Sequence, residues 1–357
     1  MIYGILDRYV GRSVVLAILL CTLTLSGLSV LIKFVEQLRQ VGEGNFDALH
    51  ALLYVLMGLP QHLVTFFPMG ALLGGVIGLG QLAQSSELVV LQAAGRSRLN
   101  IVTAVLKTVL PVMVLFILLG EYGVPYSELK AKDFKANAVS GGQITASSYG
   151  VWAREGNDFV HVGVVYRDGS LAKVTRYQFD DGQELKTVTR AASAHYEQGH
   201  WRLDQVEETR FSLPEAIHTV HLDTARWDSQ LTPKKLGVVA ISPDELSAKG
   251  LLDYVRYLKS NGQNADRYEL ALWRKAAAPL AVIAMMLLAA STVFGPLRSV
   301  SMGARIMMGV ILGFLFYVVN EVLGPFSLVY DVPPVAGAFV PSLLFLAIAV
   351  KMLRRRA

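Results

Sequence analysis

Residues 14–32 read VVLAILLCTLTLSGLSVLI, an uncharged run with Arg12 just before it and Lys33 just after it. A helix rises about 1.5 Å per residue, so this run nearly covers the roughly 30 Å hydrocarbon core of a bilayer. It is longer than the apolar region of a secretory leader and opens a chain with further apolar runs, so it reads as an uncleaved first span. Cys21 lies inside it and is the only cysteine, which leaves no disulfide framework or thiolate metal site within the chain. The bulky Leu20 before it argues against a lipoprotein cleavage site.

Working outward, comparable runs occur at about 51–83, 99–122, 273–294, 304–325 and 335–353, which makes six candidate spans. The second is overlong and carries Pro60 and Pro68, so it is expected to begin as an interfacial or periplasmic turn and then kink. The whole chain has 53% hydrophobic residues and a mean hydropathy of +0.44, too apolar for a water-soluble protein of 357 residues. Its net charge of +5 does not point to nucleic acid, because the bases gather at the ends of apolar runs and no recognition motif accompanies them.

Those bases set an orientation. Arg8 and Arg12 precede the first span, while Arg96, Arg98 and Lys107 follow the second. Arg298 and Arg305 follow the fourth, and Lys351, Arg354, Arg355 and Arg356 close the chain. With six spans all four groups fall on one side, so both termini are expected in the cytoplasm and the large central segment outside it. Arg267, Arg274 and Lys275 stand at the other end of the fourth span, but they follow a long domain to which the charge rule does not extend.

The central segment alternates with period two through Phe159, His161, Gly163 and Val165, and again through Leu171, Lys173, Thr175, Tyr177 and Phe179. Turn signals at Asn157-Asp158, Asp168-Gly169, Asp181-Gly182 and Gln198-Gly199 separate such runs, and further strands fit near 185–196, 201–211 and 217–227. Short strands at regular spacing predict an antiparallel sandwich or jelly roll, whose edge strands are ready docking surfaces for another sheet. Ser242-Pro243-Asp244-Glu245 then predicts a helix start and Asn261-Gly262 its end. Leu251, Tyr254, Val255 and Leu258 form its apolar stripe.

Chemistry is sparse. The sequence has no phosphate-binding loop, no H-E-x-x-H, no G-x-S-x-G and no dinucleotide fingerprint, so any ATP must be bound by another chain. The five histidines of the β segment are spaced as strand residues rather than as metal ligands. More telling is the stretch from Ser85 to Gly95, where a Ser cap, the early acid Glu87 and a closing glycine define a short helix between two spans. Leu88 and Leu91 share a face there, the shape that docks into a groove on a soluble partner. Past the first span come Lys33, Glu36, Gln37 and Arg39, and bases at that depth can hold lipid phosphates. Ordinary interfacial anchoring is the plainer alternative. Asn320 and Glu321 on the fifth span mark an interior-facing or functional position.

Four motifs carry a resemblance over the whole chain: Leu6-Asp7-Arg8-Tyr9, Ser86-Glu87-Leu88-Val89-Val90, Leu236-Gly237-Val238-Val239 and Phe294-Gly295-Pro296-Leu297-Arg298-Ser299. The chain resembles the lipopolysaccharide export permeases of the LptF/LptG (YjgP/YjgQ) type, most closely the LptG branch. The resemblance implies six spans with a periplasmic β-jelly-roll domain inserted after the third, in the inner membrane of a Gram-negative cell. Residues 1–124 would hold three spans and a coupling helix near 85–95, residues 125–265 the β domain and a connecting amphipathic helix, and residues 266–357 the last three spans.

It further implies an LptF-type partner permease, an LptB-type ATPase dimer that binds the ATP, and an LptC-type periplasmic protein that receives lipopolysaccharide, with no cofactor on this chain. Glu87 matches the family's coupling acid, with Leu88 and Leu91 beside it. Lys33 and Arg39 match phosphate-contacting bases, with Glu36 between them, while a further family base is Gln40 here. Phe66 and Phe316 match apolar cavity positions. A membrane-anchored scaffold and a lipid-modifying enzyme are the competing readings, the latter lacking paired acids or a nucleophile with a base.

Overall fold

The computed structural model describes residues 4–140, 143–144, 151–166, 169–212, 216–229, 231–233, 242–294 and 301–354. The motif residues 236–239 and 295–299, Asp168 of one turn, and the bases Arg298, Arg355 and Arg356 lie outside the described residues.

In chain order the helices are α1 (Ile5–Gln37), α2 (Ala48–Met57), α3 (Leu59–Gln84), α4 (Glu87–Ala93), α5 (Arg98–Leu118), α6 (Val124–Ser140), α7 (Ala248–Ser260), α8 (Asp266–Phe294), α9 (Met302–Val329) and α10 (Pro334–Arg354). Among the described residues six helices are long and apolar enough to cross a membrane: α1, α3, the continuous α5–α6 helix, α8, α9 and α10. The overlong second run is split just before Pro60, while Pro68 lies inside α3. α2 stops at Met57, and α3 restarts with Pro60 in its first turn, where a missing N–H costs nothing. By contact the chain divides into two compact units, one of residues Met1–Glu36, Val55–Ser127 and Asp266–Ala357, the other of Gln37–Tyr54 and Glu128–Ala265.

In the first unit α1 packs on α3 through Gly70, Gly74 and Gly78, four residues apart on one face. A Cβ at Gly74 would run into the Ile18 backbone, and one at Gly78 would stand 2.8 Å from Val14 Cα. Bare glycine backbone is what allows two apolar helices to approach closely where no hydrophobic effect drives them together. α8 fills the centre, with Leu288, Ala289 and Met285 fully buried. Its Ser291 and Thr292 hydroxyls each donate to a carbonyl of their own helix at 2.7 Å, so burial leaves neither hydroxyl without a partner.

Two of the fourth span's three exceptional bases are tied to backbone. Arg274 donates to the Asn320 carbonyl at 2.9 Å and Lys275 to the Gly120 carbonyl at 3.0 Å. Gly120 belongs to a π turn, Leu119–Gly123, that joins α5 to α6. A π turn shifts carbonyls out of the α-helical ladder, and the Lys275 ammonium supplies a donor to one of them.

The second unit is built on one antiparallel sheet. Strands β1 (Gln143–Ile144), β2 (Val151–Glu155), β3 (Asp158–Tyr166), β4 (Leu171–Phe179), β5 (Leu185–Glu197), β6 (His200–Ser212) and β7 (Ala216–Trp227) run mostly to their chain neighbours. β1 and β2 both pair with β3, and β7 forms the other edge. The five strands expected between 158 and 227 are all present, while the short β1 and β2 carried no alternation long enough to read. Gln198 and Gly199 both have positive φ, the conformation that two-residue hairpin turns require.

Trp201 pairs with Trp227 across β6 and β7, their rings stacked at 6.1 Å, and Trp201 Nε1 donates to the Leu231 carbonyl at 2.7 Å. α7 buries Leu251, Tyr254, Val255 and Leu258, the stripe that periodicity predicts. Its start differs from the expected one. Ser242-Pro243 opens only the 3-10 turn Pro243–Glu245, and α7 is capped by Ser247, whose Oγ accepts from the Gly250 N–H at 3.0 Å. Two Ser residues compete for the cap, and the second stands directly before the apolar stripe.

Candidate functional site

Three helices of the first unit assemble a polar-to-apolar face. Ser29 and Lys33 lie one turn apart on α1, as do His62 and Phe66 on α3. Ser29 Oγ and His62 Nδ1 are 2.9 Å apart, and the Lys33 charge acts on the same ring. His62 Nε2 is buried without a hydrogen-bond partner among the described residues. Phe66 stacks on Tyr317 of α9, ring centroids 5.9 Å apart and nearly parallel. Lys33 is half-buried and Glu36 exposed. Phe316 points the other way, buried in a cluster with Leu72, Val76 and Met285 and set edge-on against Phe345 of α10 at 5.3 Å. Its neighbour Tyr317 therefore takes the place beside Phe66. Neither Tyr317 nor His62 stood out in the sequence, because a single polar-tipped ring in an apolar run has no periodic signature.

Arg39 stands exposed on the 3-10 turn Leu38–Gln40 of the second unit. Nearby in that unit's own fold, Lys135 Nζ donates to Gln37 Oε1 at 2.6 Å and sits 5.0 Å from the Tyr54 ring centroid. Lys132 Nζ pairs with Glu245 at 2.6 Å. Burial, reinforced by the carboxylates of Glu128 and Glu245, pushes the Tyr54 phenol up to about 12. Lys132 and Lys135 are bases that strand-seeking overlooked. Their i, i+3 spacing in 124–140 is the helical signal that would have found them.

On α4 the expected cap is replaced. Ser86 takes a left-handed backbone, φ 61°, with no capping bond, while Ser85 Oγ donates to Glu87 Oε1 at 2.9 Å. Gly95 closes the turn at φ 81°, as the sequence predicts. Glu87 is half-buried with Tyr9 of α1 beside its carboxylate. Leu88, 3% exposed, belongs to the core of its own bundle, and Leu91 packs on that core. The apolar side chains that α4 leaves outside are Val89 and Val90, each more than 60% exposed.

A bundle that leaves Leu20, Leu31, Phe314 and Val322 on its outer surface is made to be surrounded by lipid or by further spans. With its inserted sheet it defines a class, the polytopic membrane proteins that carry a folded unit outside the bilayer. Comparison with known proteins narrows this. The profile of the family described as "Lipopolysaccharide export system permease LptF/LptG" matches residues 8–355. Two proteins named "Lipopolysaccharide export system permease protein LptG" are similar to it throughout. That of Escherichia coli (strain K12) is 44% identical over 357 residues, covering 99% of both chains. That of Haemophilus influenzae is 46% identical over 353 residues, covering 98% of both. The chain belongs to the LptF/LptG family of lipopolysaccharide export permeases.

Proposed function

We propose that this membrane permease subunit takes lipopolysaccharide from the inner membrane and hands it to a periplasmic bridge. It works with an LptF-type permease, and a separate LptB-type ATPase dimer binds and hydrolyses the ATP, so the chain has no nucleotide site or cofactor of its own. The observation that carries the reading is the line Lys33, His62, Phe66, Tyr317, in which a base tops a pair of stacked rings. A phosphorylated lipid with several acyl chains needs that order, a cation for phosphate followed by apolar surface for the chains. Glu36 extends the charged end on α1, Phe316 backs the apolar end from behind, and Arg39 of the second unit is a separate base for lipid phosphate.

The basic groups flanking the spans support cytoplasmic termini and a periplasmic sheet unit, with β7 as the edge offered to an LptC-type partner. α4 then faces the ATPase. Glu87, steadied by Ser85, supplies a fixed charge, and Leu88 and Leu91 seat the helix so that Val89 and Val90 project from it. The test is to purify the chain with an LptF-type permease and an LptB-type ATPase in lipid nanodiscs and measure ATP hydrolysis with and without lipopolysaccharide. Stimulation by lipopolysaccharide but not by bulk phospholipid is expected, and its absence from an assembled complex would overturn the reading.

A further inference from the structure

A polar recess of about 390 Å³ opens at the α4 end of the bundle, lined by Asp7 of α1, Arg96 of the α4–α5 turn, and Asn100, Thr103 and Lys107 of α5. It meets a second, apolar recess of about 320 Å³ between α5 and α8, lined by Leu106, Leu110, Met113, Val282, Ile283 and Met286. The two share Thr103 and Lys107. On α5 the lining positions 100, 103, 107, 110 and 113 recur at three- and four-residue steps, so one helix face passes from polar to apolar along about 20 Å. Lys107 stands at the junction and lines both recesses.

We infer that this pair of recesses is a binding site for an anionic glycerophospholipid, distinct from the lipopolysaccharide face on α1, α3 and α9. The phosphate sits between Arg96 and Lys107, and one acyl chain lies along Leu110, Met113 and Ile283. Among the described lining residues two bases stand against the single acid Asp7, a positive balance that suits a phosphodiester with no compensating amine. The Asp7 carboxylate already accepts from the Gly4 N–H at 3.1 Å. The Thr103 hydroxyl already donates to the Asn100 carbonyl at 3.0 Å. Arg96 and Lys107 are the cationic groups of the recess lining. Apolar wall continuous with a basic recess matches a diacyl lipid, whereas a soluble phosphate would use only the first part.

The experiment places a tryptophan in the groove, Leu110→Trp, with Leu20→Trp on the outward face of α1 as a bulk-lipid control. Each full-length variant is reconstituted in phosphatidylcholine containing brominated-chain phosphatidylglycerol or brominated phosphatidylcholine, and quenching above the parent's own fluorescence is compared. The expected result is about a fivefold preference for phosphatidylglycerol at Leu110→Trp, the weight of one net base near a membrane surface. That preference should vanish in Leu110→Trp carrying Arg96→Gln and Lys107→Gln, and it should be absent at Leu20→Trp throughout. Equal preference with and without the two bases would overturn the inference. So would the same preference at Leu20, or no quenching of Leu110→Trp by either lipid. None of these readings involves lipopolysaccharide or ATP, so the outcome stands apart from that of the export reaction.

Discussion

Ser29 Oγ and His62 Nδ1 stand 2.9 Å apart, one turn along from Lys33 on α1 and from Phe66 on α3. That bond fixes the ring beside the base, and the base is the group expected to meet phosphate. A charge-assisted hydrogen bond contributes roughly 1.5–3 kcal/mol, so Lys33→Ala should weaken lipopolysaccharide binding by about one to two decades at most. Lys33→Asp should do more harm, because it adds repulsion to the lost attraction. The Lys33→Ala/Arg39→Ala double variant should lose lipopolysaccharide crosslinking and stimulated ATP hydrolysis even if each single variant survives. Parent-like behaviour in all three assembled variants would make both bases simple anchors.

The two faces of α4 predict opposite phenotypes. Leu88→Ala empties part of a packed core and should cost about 2–5 kcal/mol of stability, read as a lower unfolding temperature of the complex. Val89→Glu should leave that temperature within a degree or two of the parent, since surface changes rarely exceed about 0.5 kcal/mol, yet weaken co-purification with the ATPase. Glu87→Lys should uncouple hydrolysis from transport. If Val89→Glu and Glu87→Lys both transport normally, α4 is not the coupling element.

At the β7 edge of the described sheet, Ile217, Val220 and Leu222 are exposed. Photo-crosslinkers at these positions should capture a periplasmic partner or lipopolysaccharide in intact cells. Crosslinkers at Val162 or Val174, buried in inner strands, should capture neither. Equal capture from both sets would remove β7 as the docking edge.

Glycine content sets the α1–α3 distance, and that too can be measured. Gly74→Ala should destabilise by about 1–3 kcal/mol or more, because its Cβ meets backbone that cannot give way. Gly27→Ala, with nothing within 4 Å, should be neutral or stabilising by about 1 kcal/mol through helix propensity. Comparable unfolding temperatures for the two variants would show that the helices can part at no cost.

The spans and the long strands were legible because each repeats one physical pattern over many residues. Runs such as 14–32 have no charge to misread, and the turn signals bound β3 to β7 close to the observed strand limits. Two features escaped for the opposite reason. The stretch 124–140 is polar and helical, with Tyr126, Lys130 and Leu129 exposed, and its one helical signal, the i, i+3 spacing of its lysines, is short. Leu88 and Leu91 share a face, as spacing says, but spacing is blind to which neighbour covers that face, and here it is the bundle's own core.

The π turn at Leu119–Gly123 has a consequence for how this third span tolerates change. Buried positions before and after it run Phe116, Gly120, Val124 and Glu128, three successive steps of four. An unbroken α-helix gains 40° with each such step, so Glu128 would sit about 120° out of line with Phe116. One extra residue taken up in the wider turn reduces this to about 20°. The span and its polar extension are thus written in two helical phases, with Gly120 at the splice. Deleting a single residue there would leave both halves helical and turn one of them onto the wrong side.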